Sequence, residues 1–182
     1  NYKPEEMNGT SVISKAAQMA VDKKGMFIVV SAGNEGEDPS WQIISTPADT
    51  KGVLSVGATD SYGFKIGYSG IGPKFLPYLK PDVACFSLNG TSFSAPAVTG
   101  FAACILEKYP QLKSQELGDI IRMSSSLYPY GNNYIGYGVP SAEKALKLAA
   151  DRKAVVSNTE LKRIKGNEVK ISEMVSGSEP VK

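Results

Sequence analysis

Residues 89–96, Asn-Gly-Thr-Ser-Phe-Ser-Ala-Pro, place a serine where it could act as a nucleophile. Apolar residues then recur at helical spacing up to Tyr109, and Pro110 follows, so we expect a buried helix from about Ser92 to Tyr109. Ser92 lies in its first turn, where backbone N–H groups lack intrahelical partners and the helix dipole favours negative charge. Acyl transfer develops such a charge, which makes Ser92 a candidate nucleophile. The alternative is an ordinary Ser/Thr helix cap.

A second chemically capable group, the amide of Asn34, follows a predicted strand. Residues 26–30 form a short apolar run rich in β-branched residues, typical of a strand buried on both faces. Ser-Ala-Gly-Asn-Glu-Gly at residues 31–36 ends this run. Ligands of open α/β sheets bind at the carboxyl edge of the strands, so Asn34 would face a ligand. Alternatively, Asn34 serves only the turn, since asparagine tolerates positive φ and hydrogen-bonds its own backbone.

Together, the two segments resemble two signature blocks of the subtilisin-like serine proteases. In that family the serine of Gly-Thr-Ser-x-x-x-Pro is the nucleophile, a role that the resemblance gives to Ser92. The asparagine of the Ala-Gly-Asn block donates to the oxyanion, a role that falls on Asn34, and the N–H of the nucleophile is the second donor. The backbone before that asparagine lines the pocket for the P1 side chain of the substrate, which implies substrate-binding roles for Ser31, Ala32 and Gly33.

The resemblance covers about residues 8 to 150, since weaker agreement extends along most of that range. It implies an α/β fold of the subtilisin-like, three-layer type with a mostly parallel sheet, of which only the C-terminal portion is present. We therefore expect residues 1–150 to form the C-terminal part of a catalytic domain. Residues 151–182 are Lys-rich and polar, which indicates a linker or the start of an appended β-rich segment.

The family's Asp and His blocks do not occur in this chain, which contains no histidine. Asp49-Thr50 is the nearest imitation of the Asp block, but it follows the Asn block, whereas the subtilisin order is Asp, His, Ser. We therefore expect both residues upstream of Asn1, in the other half of the same catalytic domain, and we expect this chain alone to be inactive. Residues 83–89 are shorter than the family's loop, which favours the interpretation that loop residues are missing there.

Two other classes of function remain. A sedolisin-like protease has a similar serine block and uses a Glu and Asp pair in place of histidine, but that family generally has Asp where Asn34 stands. A catalytically inactive relative could bind peptides or scaffold a partner. The presence of both Ser92 and Asn34 speaks against such decay.

Charge and composition limit the classes of partner and cofactor that we expect. A net charge of +2 gives no reason to expect nucleic acid or a membrane surface, and no segment has transmembrane length. The basic stretch at residues 162–170 lacks interleaved aromatics and is expected to be a solvated face. Two cysteines without histidine exclude the usual zinc sets, so we expect no metal site from the residues and no required cofactor. Polypeptide substrates, structural calcium and secretion follow from the resemblance alone.

Periodicity places the remaining elements. We expect helices at residues 11–24, 114–123 and 141–152 and a strand at residues 53–58. Thr10 or Ser11 caps the first helix, whose apolar stripe consists of Val12, Ile13, Ala16, Ala17 and Ala20. Ser114 is expected to cap the second. Cys104 is expected on the buried face of the helix that follows Ser92, as a small hydrophobic residue.

Overall fold

The computed structural model describes residues 2–152, which form three strands and four helices. After a 3₁₀ turn (Pro4–Glu6), the elements follow in the order α1 (Val12–Lys24), β1 (Val29–Ser31), β2 (Leu54–Thr59), β3 (Val83–Phe86), α2 (Thr91–Lys108) and α3 (Ser114–Ser124). Residues 142–152 form a last helix, α4. The predicted linker and the basic stretch at residues 162–170 lie outside the described residues.

The three strands form a parallel sheet in the order β1-β2-β3, which confirms the α/β class. Val29 pairs with Leu54, and Val56 pairs with Val83. All six residues of the central strand β2 are buried. β1 was expected to be buried on both faces, and this is wrong: its three residues are only partly buried, since it lies at the edge of the sheet.

Two apolar clusters lie on opposite faces of the sheet. The larger joins β2 and β3 to α2, α3 and α4 through Leu54, Val56, Val83, Ala95, Val98, Ala102, Ile105, Leu117, Ile120, Ile121, Ala145 and Ala149. The smaller contains Ala32, Ile44 and Ala48. Val29 packs against the first cluster and Val30 against the second, as the alternation of side chains along a strand requires. Packing on both faces fixes the strand end from which Asn34 emerges.

The predicted limits of α1 are confirmed, but its apolar stripe does not face the core. Ser11 caps the helix by accepting from Ser14 N at 3.0 Å, and Gly25 ends it in the left-handed conformation with φ 63°. Val12 is 79% exposed and Ile13 49% exposed. Ser14 is the buried residue, because its hydroxyl donates to the fully buried Asp49 at 2.6 Å. A polar contact therefore anchors this helix.

Two smaller expectations are wrong. Lys113 caps α3, and Ser114 is the first helical residue, since the Lys113 N–H donates to the Glu116 carboxylate at 3.0 Å. Cys104 is exposed, because the buried residues of α2 fall on its other side. Residues 83–86 form β3, and residues 87–90 connect it to α2, with the Ser87 hydroxyl donating to Gly90 O at 2.8 Å.

A buried cluster of charges holds the start of β3. The Asp82 carboxylate accepts from the Lys80 ammonium at 2.7 Å and from Arg122 Nε at 2.8 Å. It also accepts from the backbone N–H and the hydroxyl of Ser55, at 2.7 and 2.8 Å. Burial opposes ionisation of Asp82, but the two cations outweigh it and lower its pKa. Burial lowers the pKa of Lys80, with Asp82 opposing the shift. The cluster thus ties β2, β3 and α3 together.

Candidate active site

Ser92 is the second residue of α2, and its side chain is exposed. Gly90 precedes the helix as its N-cap with φ 130°, a conformation that favours glycine, and no side chain caps the helix there. Ser92 therefore does not cap α2. As the second helical residue, Ser92 has a backbone N–H without an acceptor in its own helix. Its exposed hydroxyl and its N–H both lie at this helix terminus.

Asn34 lies against the same helix terminus, held there by Thr91. The Asn34 Oδ1 atom accepts from Thr91 N at 2.9 Å and from the Thr91 hydroxyl at 3.0 Å. The Thr91 hydroxyl in turn accepts from Gly33 N at 3.1 Å. Thr91 is fully buried, whereas Asn34 is exposed. These bonds join the end of β1 to the start of α2.

The two donors also fix which way the Asn34 amide points. A backbone N–H can only donate, so the atom facing Thr91 N must be the amide oxygen. Among residues 2–152, the hydrogen bonds of this side chain involve only Oδ1, so Nδ2 is available for a ligand. A Cβ on Gly90 would lie 3.4 Å from Nδ2, which places this donor beside the turn that leads to Ser92. An N–H donor and a serine hydroxyl thus adjoin one helix terminus.

Ser31, Ala32 and Gly33 form the strand end that leads to Asn34. Ala32 is fully buried beside the smaller apolar cluster, so neither its side chain nor its backbone is exposed in the described part of the chain. All four polar backbone groups of Ala32 and Gly33 are paired within the chain. These bonds run from Ala32 N to Val56 O, from Ser45 N to Ala32 O, from Gly33 N to Thr91 Oγ1 and from Gly70 N to Gly33 O. Ala32 and Gly33 therefore form a rigid wall.

Three residues beside this wall were not singled out from the sequence. Thr91 was seen only as part of a motif, because its two bonds to Asn34 join residues 57 positions apart. The Glu35 carboxylate accepts from Asn34 N at 2.8 Å. Ser45 Oγ would lie 3.2 Å from a Cβ on Gly33. Of the three, only Glu35 could have been found from the sequence, because it lies next to Asn34.

Comparison with known proteins agrees with the fold and identifies the family. A profile of the Subtilase family, Peptidase S8, matches residues 3–138. The chain is 37% identical over 145 residues to Subtilisin DY from Bacillus licheniformis, covering 72% of this chain and 52% of that protein. It is 30% identical over 150 residues to a calcium-dependent protease from Trichormus variabilis, covering 75% of this chain and 22% of that protein. The chain therefore belongs to the subtilase family.

Solved structures support the same fold. The self-cleaved protease domain of PatA superposes with a TM-score of 0.64 at 22% identity, covering 79% of this chain and 58% of that one. At this identity the likeness supports the fold alone. The chain thus has a subtilisin-like protease fold, and it spans about half the length of Subtilisin DY.

One relative, from Trichormus variabilis, is named a calcium-dependent protease. Residues 2–152 contain no group of three or more His, Cys, Asp or Glu side chains that could hold a metal ion.

Proposed function

We propose that this chain supplies the nucleophile and the oxyanion hole of a subtilisin-like serine endopeptidase. Ser92 is the nucleophile, and Asn34 Nδ2 and the Ser92 N–H are the oxyanion donors. The observation that carries the proposal is the double hydrogen bond from Thr91 to Asn34 Oδ1, which turns Nδ2 outward beside the nucleophile. The triad Asp and His belong to an upstream part of the same polypeptide.

The mechanism follows from these positions. Ser92 Oγ attacks the scissile carbonyl while the upstream histidine takes the hydroxyl proton, and a tetrahedral intermediate forms. Its negative oxygen is stabilised by Asn34 Nδ2, by the Ser92 N–H and by the positive end of α2. Collapse expels the amine, which takes a proton from the histidine and leaves an acyl group on Ser92. Water then hydrolyses that ester by the same steps.

Exposed apolar surface supports the proposal of an upstream partner segment. Val12, Ile13 and Met19 of α1 are all about half exposed or more. Phe93, next to the nucleophile, is 64% exposed. β1 is an edge strand, and its outer side is free to pair within the described part of the chain. A further strand and helices of the same domain would cover these surfaces.

Polypeptide substrates and a place outside the cytoplasm belong to the same proposal, by family resemblance. Over residues 2–152, no helix combines the length and the apolar character needed to cross a membrane. A sedolisin-like protease would use a Glu and Asp pair in place of histidine, so the identity of the upstream base residue distinguishes that alternative. A catalytically inactive relative would differ in having no reactive serine at Ser92.

The proposal is tested by labelling the parent protein, the longer polypeptide that we propose to contain this chain, with a fluorophosphonate serine probe. Intact mass and peptide mapping are obtained from the same sample. We expect the label on Ser92, in a species heavier than this chain. A folded full-length protein that takes no label would overturn the proposal and favour the inactive relative.

Replacing Asn34 with alanine in the parent should lower kcat by about 10²–10³-fold with little change in KM, because the oxyanion exists only after attack. That magnitude is the one known for the oxyanion asparagine of subtilisin itself. The measurement is steady-state kinetics on a peptide substrate. Asn89→Ala is the matched control, since Asn89 is an exposed amide near the same turn. A change in KM alone would mean that Asn34 only shapes the binding surface.

Thr91→Val tests whether Thr91 positions Asn34. Valine keeps the shape but removes the hydroxyl that bonds Asn34 Oδ1 and Gly33 N, leaving only the Thr91 backbone bond. We expect kcat to fall by about 10-fold. This loss is smaller than the one for Asn34→Ala, because the Thr91 N–H still holds Asn34 Oδ1. In the double variant with Asn34→Ala, the Thr91 change should cost almost nothing further. Thr99→Val on the same helix, whose hydroxyl bonds Ala95 O, is the control. Additive losses would contradict a role through Asn34.

A further inference from the structure

A short connection, residues 87–90, leads from β3 to α2, the helix that carries Ser92. Ser87 is 5% exposed, and its backbone N–H, its carbonyl and its hydroxyl are all paired. The N–H donates to Thr59 O at 3.1 Å, which ties the connection to the end of β2. The hydroxyl donates to Gly90 O at 2.8 Å, at the N-cap of α2. Ser87 thus fixes the start of α2 relative to the sheet.

A side chain from a distant loop pairs with the carbonyl of Ser87. The Tyr68 hydroxyl donates to Ser87 O at 2.7 Å, across 19 positions of sequence, and Tyr68 is partly buried. Leu88 and Asn89, which follow in the connection, are exposed. Within residues 2–152, the connection receives no other hydrogen bond from the side chain of a residue outside it. Its position therefore depends in part on Tyr68.

Tyr68 also belongs to the segment that holds the loop of Asn34. Its backbone carbonyl accepts from Gly36 N at 2.8 Å, and two residues further on, Gly70 N donates to Gly33 O at 3.0 Å. One short segment therefore holds the chain on both sides of the Asn34 amide. From that segment the Tyr68 side chain reaches the connection that precedes the proposed nucleophile.

The two proposed oxyanion donors come from different parts of the chain, so their spacing depends on what joins those parts. Thr91 joins them directly, through Asn34 Oδ1. Tyr68 joins them a second time, through Ser87 and the backbone that leads to Ser92. Catalysis depends steeply on such spacing, since a displacement of about 1 Å can lower turnover by about 10²-fold. A hydrogen bond that fixes the connection can therefore affect the chemical step.

We propose that the Tyr68 hydroxyl positions Ser92, by holding the connection at residues 87–90 in place beside the loop of Asn34. The inference rests on the proposed peptidase function and adds a residue to it. Tyr68 acts through Ser87 in this role and takes no part in the chemical step, so it is a positioning residue.

Tyr68→Phe in the parent protein tests this role, because it removes the hydroxyl and keeps the ring. We expect kcat to fall by about 10-fold with KM nearly unchanged, since the substrate-binding surface stays and only the alignment of the nucleophile is lost. The rate of labelling by the fluorophosphonate probe should fall by a similar factor, because that reaction needs the same serine and the same oxyanion donors. Steady-state kinetics on a peptide substrate and a time course of labelling measure the two effects.

Tyr78→Phe is the matched control, because it deletes the same kind of hydrogen bond outside the proposed site. Tyr78 is also partly buried, and its hydroxyl donates to a backbone carbonyl, Asp49 O, at 2.8 Å. Both variants should unfold at a slightly lower denaturant concentration than wild type, since each loses one hydrogen bond. Only Tyr68→Phe should lose turnover. Equal values of kcat for the two variants would show that Tyr68 is only structural and would overturn the inference.

Ser87→Ala provides a second test, since it breaks the link at its next step. Alanine removes the hydroxyl that bonds Gly90 O, so kcat should again fall by about 10-fold. Without that bond, the Tyr68 hydroxyl no longer fixes the N-cap of α2, so Tyr68→Phe should cost little further in the double variant. Additive losses would contradict the inference. A folded wild-type parent that cleaves no peptide and takes no serine label would instead overturn the proposed function.

Discussion

Replacing Ser92 with alanine in the parent protein should lower turnover by about 10⁴–10⁶-fold, the loss known when subtilisin-type enzymes lack their nucleophile. The remaining activity comes from binding and from the oxyanion donors, which this change leaves in place. Because Ser92 is exposed and its side chain makes no hydrogen bond within residues 2–152, the free energy of unfolding should not change. Single-turnover and steady-state kinetics measure the first effect, and thermal denaturation measures the second.

Ser94→Ala is the matched control for that experiment. Ser94 lies two residues further along the same helix, is fully buried, and has a hydroxyl without a hydrogen-bond partner in the described part of the chain. Its loss should leave turnover within a few-fold of wild type, and stability should be equal or slightly higher, since a buried unpaired hydroxyl is removed. Similar activity losses for both serines would contradict the assignment of Ser92.

Asp82→Ala should destabilise the parent's catalytic domain by about 3–5 kcal/mol. Alanine leaves the Lys80 ammonium, 1% exposed, with Val53 O as its remaining partner within the described residues, and it orphans the Ser55 N–H. The cost comes mainly from a buried charge without a counter-ion. Denaturant unfolding of the wild type and the variant measures it. A loss below about 1 kcal/mol would mean that water reaches the cluster.

Asp119→Asn is the comparison variant, because Asp119 also pairs with Arg122, at 3.3 Å, but is 43% exposed. Its loss should cost less than about 1 kcal/mol. The effect of Asp82 should also depend on pH. Its folded pKa is lowered, so its contribution is complete above the ordinary carboxyl pKa and declines as the pH falls from there towards the folded pKa. The gap between wild type and Asp82→Ala should narrow over that acidic range.

The sequence predicted helices and strands well wherever the residues that determine them are close together in the chain. The apolar run at residues 53–58, the N-cap at Ser11 and the stop at Gly25 each follow from a few neighbouring residues. The sequence could not predict in the same way which face of each helix is buried. Val12 and Cys104 looked like core residues because their helices are amphipathic or apolar, but which face is covered depends on distant parts of the chain.

The candidate site shows the same division. Ser92 and Asn34 belong to short motifs, so family resemblance assigned them candidate roles. The hydroxyl of Thr91 acquires its proposed role only when β1 and α2 are packed. Thr91 meets Asn34 across 57 residues. No pattern in the residues around Thr91 predicts this contact.

The backbone N–H groups of Ala32 and Gly33 are both paired within the chain, with Val56 O and Thr91 Oγ1. Neither can therefore donate a hydrogen bond to the main chain of a substrate. Under the proposed function, the donors that align a substrate's main chain must lie on other segments of the polypeptide. Substitutions in those segments would alter substrate binding without disturbing the hydrogen bonds that hold Asn34 beside Ser92.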